Sequence, residues 1–165
     1  MMYTKDSNNP SGDMALGLLP FGRYLLTAAY DGTRGGVLVS WVQPCAHEPA
    51  LIAVAARRGH CVEPLVRDSR CFAICVVREG DRLIERKFQA PMPPDESGDL
   101  FDSLEVETLS TGSPIVMRCL VAYDCEVVRH FDLEADHELY IGRVVVACVY
   151  DENAARRHRS QSGSW

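Results

Sequence analysis

The chain has 165 residues, of which 47% are hydrophobic and 24% are charged, and its formal net charge at pH 7 is -6. This length and composition predict one globular domain with a buried core. The negative charge is not that of a nucleic-acid binder, and no apolar run reaches the roughly 18 residues of a membrane span. We therefore expect no nucleic-acid and no membrane partner. The polar N-terminus lacks a signal-peptide core, which favours a soluble, cytoplasmic protein.

Seven cysteines, an odd number, lie mostly inside apolar runs without regular spacing. Reduced, buried thiols are the simplest interpretation. The sequence lacks the C-x-x-C and H-E-x-x-H spacings that are typical of zinc sites, so we expect no metal.

Three divisions of the chain are predicted. Residues 1–12 are polar and indicate a flexible N-terminal tail, residues 13–150 form one domain, and residues 151–165 are a polar, basic C-terminal tail. At the start of the domain, the segment MALGLL predicts a short helix, with Asp13 as its N-cap and Pro20 at its end.

The next segments predict short strands and short helices. Residues 23–30 and the run GVLVSWV, joined by the turn pair Asp31-Gly32, predict a β-hairpin. ALIAVAA and CFAICVV are further strands, whereas VEPLVRDS and DRLIERKF place their apolar residues at helical spacing. Residues 89–103, which contain three prolines, predict a loop.

The last third of the chain has the strongest β-like alternation. One predicted strand face carries Cys119, Val121, Tyr123, Cys125, Val127 and Phe131. Many short strands with few helices between them favour a mainly β fold, a closed antiparallel barrel, over a doubly wound one. No G-x-G-x-x-G follows a strand, so a nicotinamide cofactor would not be held in the Rossmann manner.

Three segments carry polar groups where a ligand could bind. The first, residues 40–49 (SWVQPCAHEP), is an apolar strand that ends in Ser, Gln, Cys and His; the alternative is a bulged loop with Trp41 in the core. The second, residues 56–64 (ARRGHCVEP), brings two arginines and a histidine to a helix start. Free N–H groups and guanidinium there predict a phosphate site, and the alternative is a solvated basic turn. Cys61, beside His60 in this segment, is a candidate for a lowered thiol pKa.

The third segment, residues 135–142 (ADHELYIG), places Asp136 and His137 in a tight connection before a long strand. A histidine at this position can donate a hydrogen bond and titrate near neutrality. The alternative is a solvated turn histidine without a catalytic role.

Taken in this order, the three segments resemble the flavin reductase-like family of FMN-binding split barrels, over Gly17 to Tyr150. The pieces that carry the resemblance are GRYLLTA, GGVLVSWVQ followed by EPALIAVAA, EPLVRDS leading into FAICVV, and ADHELYIGRVV. The resemblance implies a mainly β, antiparallel split barrel with short helices.

The resemblance also implies roles for particular residues. The flavin ring and ribityl chain would lie against Ser40, Trp41, Val42, Cys45, Ala46 and His47, largely through backbone groups. The phosphate would be surrounded by Arg57, Arg58, His60 and Cys61. Asp136 and His137 would lie where the nicotinamide stacks on the flavin, with His137 as the catalytic residue.

The chain departs from the family pattern at several of these positions. The family commonly has a hydroxyl residue at Ala46, a proline at Ala50, threonine or serine at Cys61 and glycine at Ala135. Each lost hydroxyl removes up to one hydrogen bond to FMN, worth about 1 kcal/mol net.

The implied function is NAD(P)H-dependent reduction of FMN, with FAD or riboflavin as other flavin substrates. Reduced flavin would then serve a partner such as a monooxygenase or an electron-carrier protein. Two alternatives stay open: an FMN-holding electron carrier without a nicotinamide site, and a flavin-free relative that uses the barrel as an interaction scaffold.

A homodimer is predicted from residues 139–149 as well as from the family. This strand presents Leu139, Ile141, Val145, Ala147 and Val149 on one face and Tyr140, Val144, Val146 and Cys148 on the other. A small barrel covers only one of these faces, and a two-fold contact is the commonest way to bury the second. The alternative is that Leu16, Leu18 and Leu19 cover it within one chain.

Overall fold

The computed structural model describes residues 16, 18–19, 21–89 and 98–161. Nine strands lie within these residues: β1 (Tyr24–Tyr30), β2 (Thr33–Val39), β3 (Val42–His47), β4 (Ala50–Arg57), β5 (Cys71–Val76), β6 (Val106–Thr108), β7 (Pro114–Val116), β8 (Val121–Asp132) and β9 (His137–Val149). The same residues contain three helices of seven residues or more: α1 (Val62–Ser69), α2 (Arg82–Phe88) and α3 (Glu152–Gln161). The predicted tail over residues 1–12 and most of the helix predicted from Asp13 to Pro20 lie outside the described residues.

Seven strands form one antiparallel sheet in the order β2-β1-β5-β8-β9-β4-β3, and β6 pairs with β7 separately. Only Ser40 and Trp41 separate β2 from β3, so the two edge strands of the sheet meet at this corner. Over the described residues no ladder joins these two edges. The mainly β prediction is confirmed, and the barrel is split rather than closed.

The sheet has an apolar core on each face. Adjacent residues of β1 pack in different cores. Leu26 packs with Phe72 in one, called the first core, and Leu25 packs with Phe88 in the other, called the second core. Helix α1 contributes to the first core, whereas α2 and the β6–β7 pair cover the second. This alternation follows from the period of two of a β-strand.

Gly142 in β9 shows how tightly the first core is packed. A Cβ at this position would lie 2.4 Å from the ring of Phe72, which is fully buried. Only glycine at this position lets β9 approach the Phe72 ring so closely.

Several predicted elements occur where the sequence placed them. The Asp31-Gly32 turn has both φ angles positive, 48° and 75°, as a tight hairpin requires. Helices α1 and α2 cover the two segments with helical spacing, and Asp81 caps α2 by accepting a hydrogen bond from the N–H of Ile84 at 3.3 Å. The run GVLVSWV, predicted as one strand, is divided because the chain turns at Ser40 and Trp41.

The predicted alternation fails in β8 and β9 because the ladder between them is bulged. The register shifts between Asp124 and Cys125 and again between Val127 and Arg129. The first shift leaves Val145 of β9 unpaired, and the second leaves Val128 of β8 unpaired. The extra residue in β8 reverses the side to which the later residues of that strand point, and Phe131 is 47% exposed instead of lying on the buried face.

The chain end, predicted as a polar tail over residues 151–165, instead contains helix α3. Asp151 begins it by accepting a hydrogen bond from the N–H of Ala154 at 2.9 Å, and Arg78 holds the same carboxylate at 2.7 Å. None of the helices in the described part of the chain is both long and apolar enough to cross a membrane.

Candidate functional site

A cleft of about 490 Å³ lies at the corner where the two sheet edges meet. Its lining includes members of all three segments that the sequence singled out. The complete lining is Leu16, Phe21, Val37, Leu38, Val39, Ser40, Trp41, Ala55, Arg57, His60 and His137.

Backbone pairing brings these segments together. Arg57 at the end of β4 is the ladder partner of His137 at the start of β9. The carbonyl of Trp41 accepts a hydrogen bond from the N–H of Ala55 at 3.0 Å, and the carbonyl of Ser40 accepts one from Gly22 at 3.3 Å. The corner is therefore held by main-chain hydrogen bonds, and its side chains are available to the cleft.

Trp41 and His137 form the aromatic part of the cleft. Their ring centroids are 4.7 Å apart and their planes are tilted by 46°. Trp41 is 49% exposed, so the alternative that placed it in the core is wrong. The His137 ring is mostly covered, so it is not a freely solvated turn histidine either.

Asp136 adds a carboxylate beside this pair. Its Oδ1 lies 3.0 Å from Nδ1 of His137. The close approach of the His137 ring lowers the pKa of Asp136. The ring is thus held by a carboxylate on one side and by Trp41 on another.

The apolar wall of the cleft was missed by the sequence reasoning. Val37, Leu38 and Val39 come from the end of β2, and Phe21 and Leu16 come from the segment before β1. Their place in the sequence could have identified the two valines and the leucine, because they immediately precede Ser40 in an unbroken apolar run.

The N–H groups at the start of α1 are not free, contrary to the expectation for a phosphate site. The Val62 N–H donates to Nδ1 of His60 at 3.4 Å, and the Glu63 N–H donates to the His60 carbonyl at 3.1 Å. Pro64, the third residue of the helix, has no N–H to offer. Burial lowers the pKa of His60, which agrees with a neutral ring that accepts at Nδ1.

Cys61 does not have the activated thiol that its position suggested. Desolvation raises the pKa of the thiol, and a hydrogen bond from its own backbone opposes that rise without cancelling it. Its Sγ lies 3.5 Å from Nδ1 of His60, and the residue does not line the cleft. The prediction of a lowered thiol pKa is wrong because a neutral imidazole supplies no positive charge to stabilise a thiolate.

Arg58 points away from the cleft. Its guanidinium forms an ion pair with Asp132 and lies 3.6 Å from Glu138. Glu138 is 9% exposed and also accepts hydrogen bonds from His130 at 2.7 Å and from the Tyr140 hydroxyl at 3.0 Å. The Arg58–Glu138 network, by which we mean these five residues, was not identified from the sequence.

The network shifts the pKa of two of its members in opposite directions. Burial raises the pKa of Glu138, but the hydrogen bonds from His130 and Tyr140 and the nearby positive charges outweigh burial and lower it overall. For Tyr140, burial and the hydrogen bond to Glu138 both raise the pKa. Both shifts favour a carboxylate that accepts from a protonated phenol at neutral pH.

The rest of the first predicted segment lies outside the cleft. Val42, Cys45, Ala46 and His47 belong to the edge strand β3, and none of them lines the cleft. Cys45 and His47 are exposed, and a register shift between Pro44 and Ala46 interrupts the strand. The structure therefore brings together Ser40, Trp41, Arg57, His60 and His137 of the predicted binding residues.

A family model described as "Flavin reductase like domain" matches residues 16–162. A curated relative, "Diflavin flavoprotein A 1" of Synechocystis sp., is 28% identical over 133 residues, which are 80% of this chain and 23% of the relative. The chain thus spans about a quarter of the length of the curated relatives it matches.

Solved structures share the fold. The NADH:FAD oxidoreductase SgcE6 of Streptomyces globisporus C-1027 superposes with a TM-score of 0.77 at 19% identity, covering 90% of this chain and 87% of that one. Flavoredoxin from Methanosarcina acetivorans gives a TM-score of 0.71 at 17% identity, covering 80% and 70%.

Proposed function

This chain belongs to the flavin reductase like domain family, and from that premise we propose that it is a flavoprotein oxidoreductase that uses NAD(P)H to reduce a flavin in its corner cleft. Reduced flavin would then pass to a partner, such as a monooxygenase or an electron-carrier protein. The observation that carries the proposal is the convergence of Trp41, Arg57 and His137 on one cleft, although they come from three distant parts of the sequence.

The residues present fit a flavin. A volume of about 490 Å³ lies in the range of small-molecule sites, which are mostly apolar with a few polar groups. The apolar end of β2 provides one wall for a flat ring system, and the Trp41–His137 pair provides another. Ser40 lines the cleft, and its hydroxyl would supply a hydrogen-bonding group for the polar edge of a ring.

Residues of this chain would position the flavin and the nicotinamide and set the electrostatics of the site. A bound flavin would supply the hydride-accepting chemistry. Trp41 would hold the ring plane, and His137, fixed by Asp136 and Trp41, would be the catalytic residue that positions the nicotinamide. Arg57 would provide a positive charge in the cleft. The apolar residues at the end of β2 would exclude water from the face of the flavin ring.

Steady-state oxidation of NADH and NADPH with added FMN, FAD or riboflavin tests this proposal. We expect turnover that depends on protein and flavin together, and a lower kcat in His137→Ala. His130→Ala, which removes a histidine outside the cleft, is the matched control and should leave kcat unchanged. Rates no faster than buffer with every flavin would contradict the proposal.

A second candidate function is an FMN-holding electron carrier without a nicotinamide site. The similarity of the chain to a diflavin flavoprotein and to a flavoredoxin supports a role in which flavin stays bound. In that case purified protein would be yellow, and dithionite or a reduced protein partner would bleach it whereas NADH and NADPH would not.

We also propose that the protein is a homodimer in the cytoplasm. Leu16, Leu18 and Leu19 are exposed and so bury little of the chain's own surface. Val146 and Val149 near the end of β9 are exposed as well, which leaves apolar surface for a second copy. All seven cysteines are free, as a reducing compartment would keep them. Light scattering that gives the mass of one chain, with and without flavin, would contradict the dimer.

A further inference from the structure

The first turn of α1 is the natural place for the terminal phosphate of a flavin, because helix N-termini present unpaired N–H groups. In this chain those groups are used internally. His60 accepts from the N–H groups of both Val62 and Glu63, and Pro64 has none. The turn therefore has no donor left among its first three residues.

Glu63 places a negative charge at the first turn of α1. Its Oε2 accepts a hydrogen bond from the N–H of Gly59 at 3.3 Å, which closes the loop before the helix. Its Oε1 lies 3.6 Å from Arg67, and the side chain is only 15% exposed. A carboxylate near a helix N-terminus is favourable, so the helix is stabilised by an anion of its own.

The positive charges around this loop are largely neutralised. Arg58 pairs with Asp132 and Glu138, and Arg67 pairs with Glu63 and Asp68. In the part of the chain that the structure describes, Arg57 is the one arginine that lines the cleft. A phosphate dianion placed here would face one guanidinium and a nearby, poorly solvated carboxylate.

We infer that Glu63 is a specificity-determining residue that keeps the phosphate of a flavin off α1, so that the cleft selects the ring and ribityl chain and binds riboflavin about as tightly as FMN. This inference rests on the proposed flavin site. It reverses the expectation that residues 57–61 form a phosphate site, because the chain itself already occupies the donors that such a site requires.

Dissociation constants for riboflavin and FMN, measured by equilibrium dialysis on wild type, Glu63→Ala and Glu63→Gln, test the inference. Wild type should bind the two flavins within about threefold of each other, because the phosphate gains little net interaction. Glu63→Ala frees the Gly59 N–H and removes the charge, so FMN should bind about tenfold more tightly and riboflavin should be unchanged. Glu63→Gln removes only the charge and should give a smaller change in the same direction.

Asp68→Asn is the matched control. It removes one negative charge from the same helix, where Asp68 contacts Arg67 at 3.2 Å and makes no bond to the loop. Its FMN affinity should stay within about twofold of wild type. Thermal unfolding of each variant identifies any that fails to fold, and Glu63→Gln, which keeps an acceptor for Gly59, is the more conservative of the two.

Three results would overturn the inference: a wild-type preference for FMN over riboflavin of about thirtyfold or more, an equal change in both affinities in the Glu63 variants, or no change in either. Absence of binding of both flavins to wild type would instead contradict the proposed function itself. The riboflavin measurement therefore separates failure of the flavin site from failure of the role of Glu63.

Discussion

Two surfaces with different roles lie at the end of the ladder between β4 and β9, although their residues are neighbours in the sequence. Arg57 and His137 line the cleft, whereas Arg58 and Glu138 point away from it into a network of ion pairs and hydrogen bonds. On the cleft side the charged groups are accessible to a ligand, and on the network side they satisfy one another. In β9 one residue of offset separates a binding surface from a structural one, because successive side chains of a strand point to opposite sides. Arg58 is the first residue after β4, and it pairs with Glu138.

The two surfaces also differ in their aromatic pairs. The Trp41 and His137 rings are tilted, and Trp41 is half exposed. The His130 and Tyr140 rings are stacked with a centroid separation of 4.3 Å and an interplanar angle of 2°, and Tyr140 is buried. The first pair can accept a ligand, whereas the second is part of the packing.

The largest effect should come from removing the centre of the network. Glu138→Ala leaves Arg58, His130 and the Tyr140 hydroxyl without their shared acceptor, and we expect it to lower the free energy of unfolding by about 2–3 kcal/mol. Arg57→Ala, on the cleft side, should change it by no more than about 0.5 kcal/mol. Urea unfolding of the two variants measures both values, and similar losses would abolish the distinction between the surfaces.

The next largest effect concerns flavin affinity, which should change with a substitution on the cleft side and not with one on the network side. Trp41→Ala should weaken flavin binding about tenfold, since it removes an aromatic contact to the ring while leaving the core intact. His130→Ala removes an aromatic partner on the network side and should leave the affinity unchanged. Quenching of flavin fluorescence gives both constants. Equal losses in the two variants would show that the effect is one of general structure.

The pH dependence of stability should include a contribution from the network. Because the folded-state pKa of Glu138 is lowered, its contribution is complete above the unfolded value of about 4.3 and is lost as pH falls through the folded pKa. The pKa of Tyr140 is raised, so its contribution is complete below about pH 10 and is lost as pH rises through the folded pKa. Glu138→Gln should flatten the acid side of the stability curve and Tyr140→Phe the alkaline side. Retention of the wild-type slopes in both variants would contradict this assignment.

The smallest effect is chemical. Since desolvation raises the pKa of Cys61, its alkylation by iodoacetamide at pH 8 should be slower than that of free N-acetylcysteine, although the residue lies at the surface. Mass spectrometry of the Cys61 peptide over time measures the rate. A rate above that of the free thiol would restore the activated cysteine that the sequence suggested.

Periodicity was enough to predict much of the fold. The hairpin at Asp31-Gly32 and helices α1 and α2 follow from local turn chemistry and helical spacing. Local patterns do not encode a bulge, however, and the prediction put Phe131 on the buried face because it missed the unpaired Val128 in β8. The C-terminal helix α3 was missed because its sequence is polar and its start depends on Asp151, which Arg78 holds from a distant strand end.

The candidate site was predictable in its segments and not in its details. All three segments contribute to the cleft, since Ser40, His60 and His137 line it together. The sequence could not separate Arg57 from Arg58, because the orientation of each depends on the register between β4 and β9. It also did not reveal that His60 and Glu63 occupy the hydrogen bonds of the loop before α1, since those contacts form only in the folded turn.

Tryptophan fluorescence tests the central claim, that a flavin binds in the corner cleft, most directly. Trp41 lies in the cleft and Trp165 is the other tryptophan of the chain, so a Trp165→Phe background makes Trp41 the sole reporter. Titration with riboflavin should quench this fluorescence in a saturable manner at one flavin per chain, because the ring would contact the indole. Fluorescence that stays constant while dialysis shows bound flavin would place the flavin elsewhere, and absence of both signals would contradict the claim.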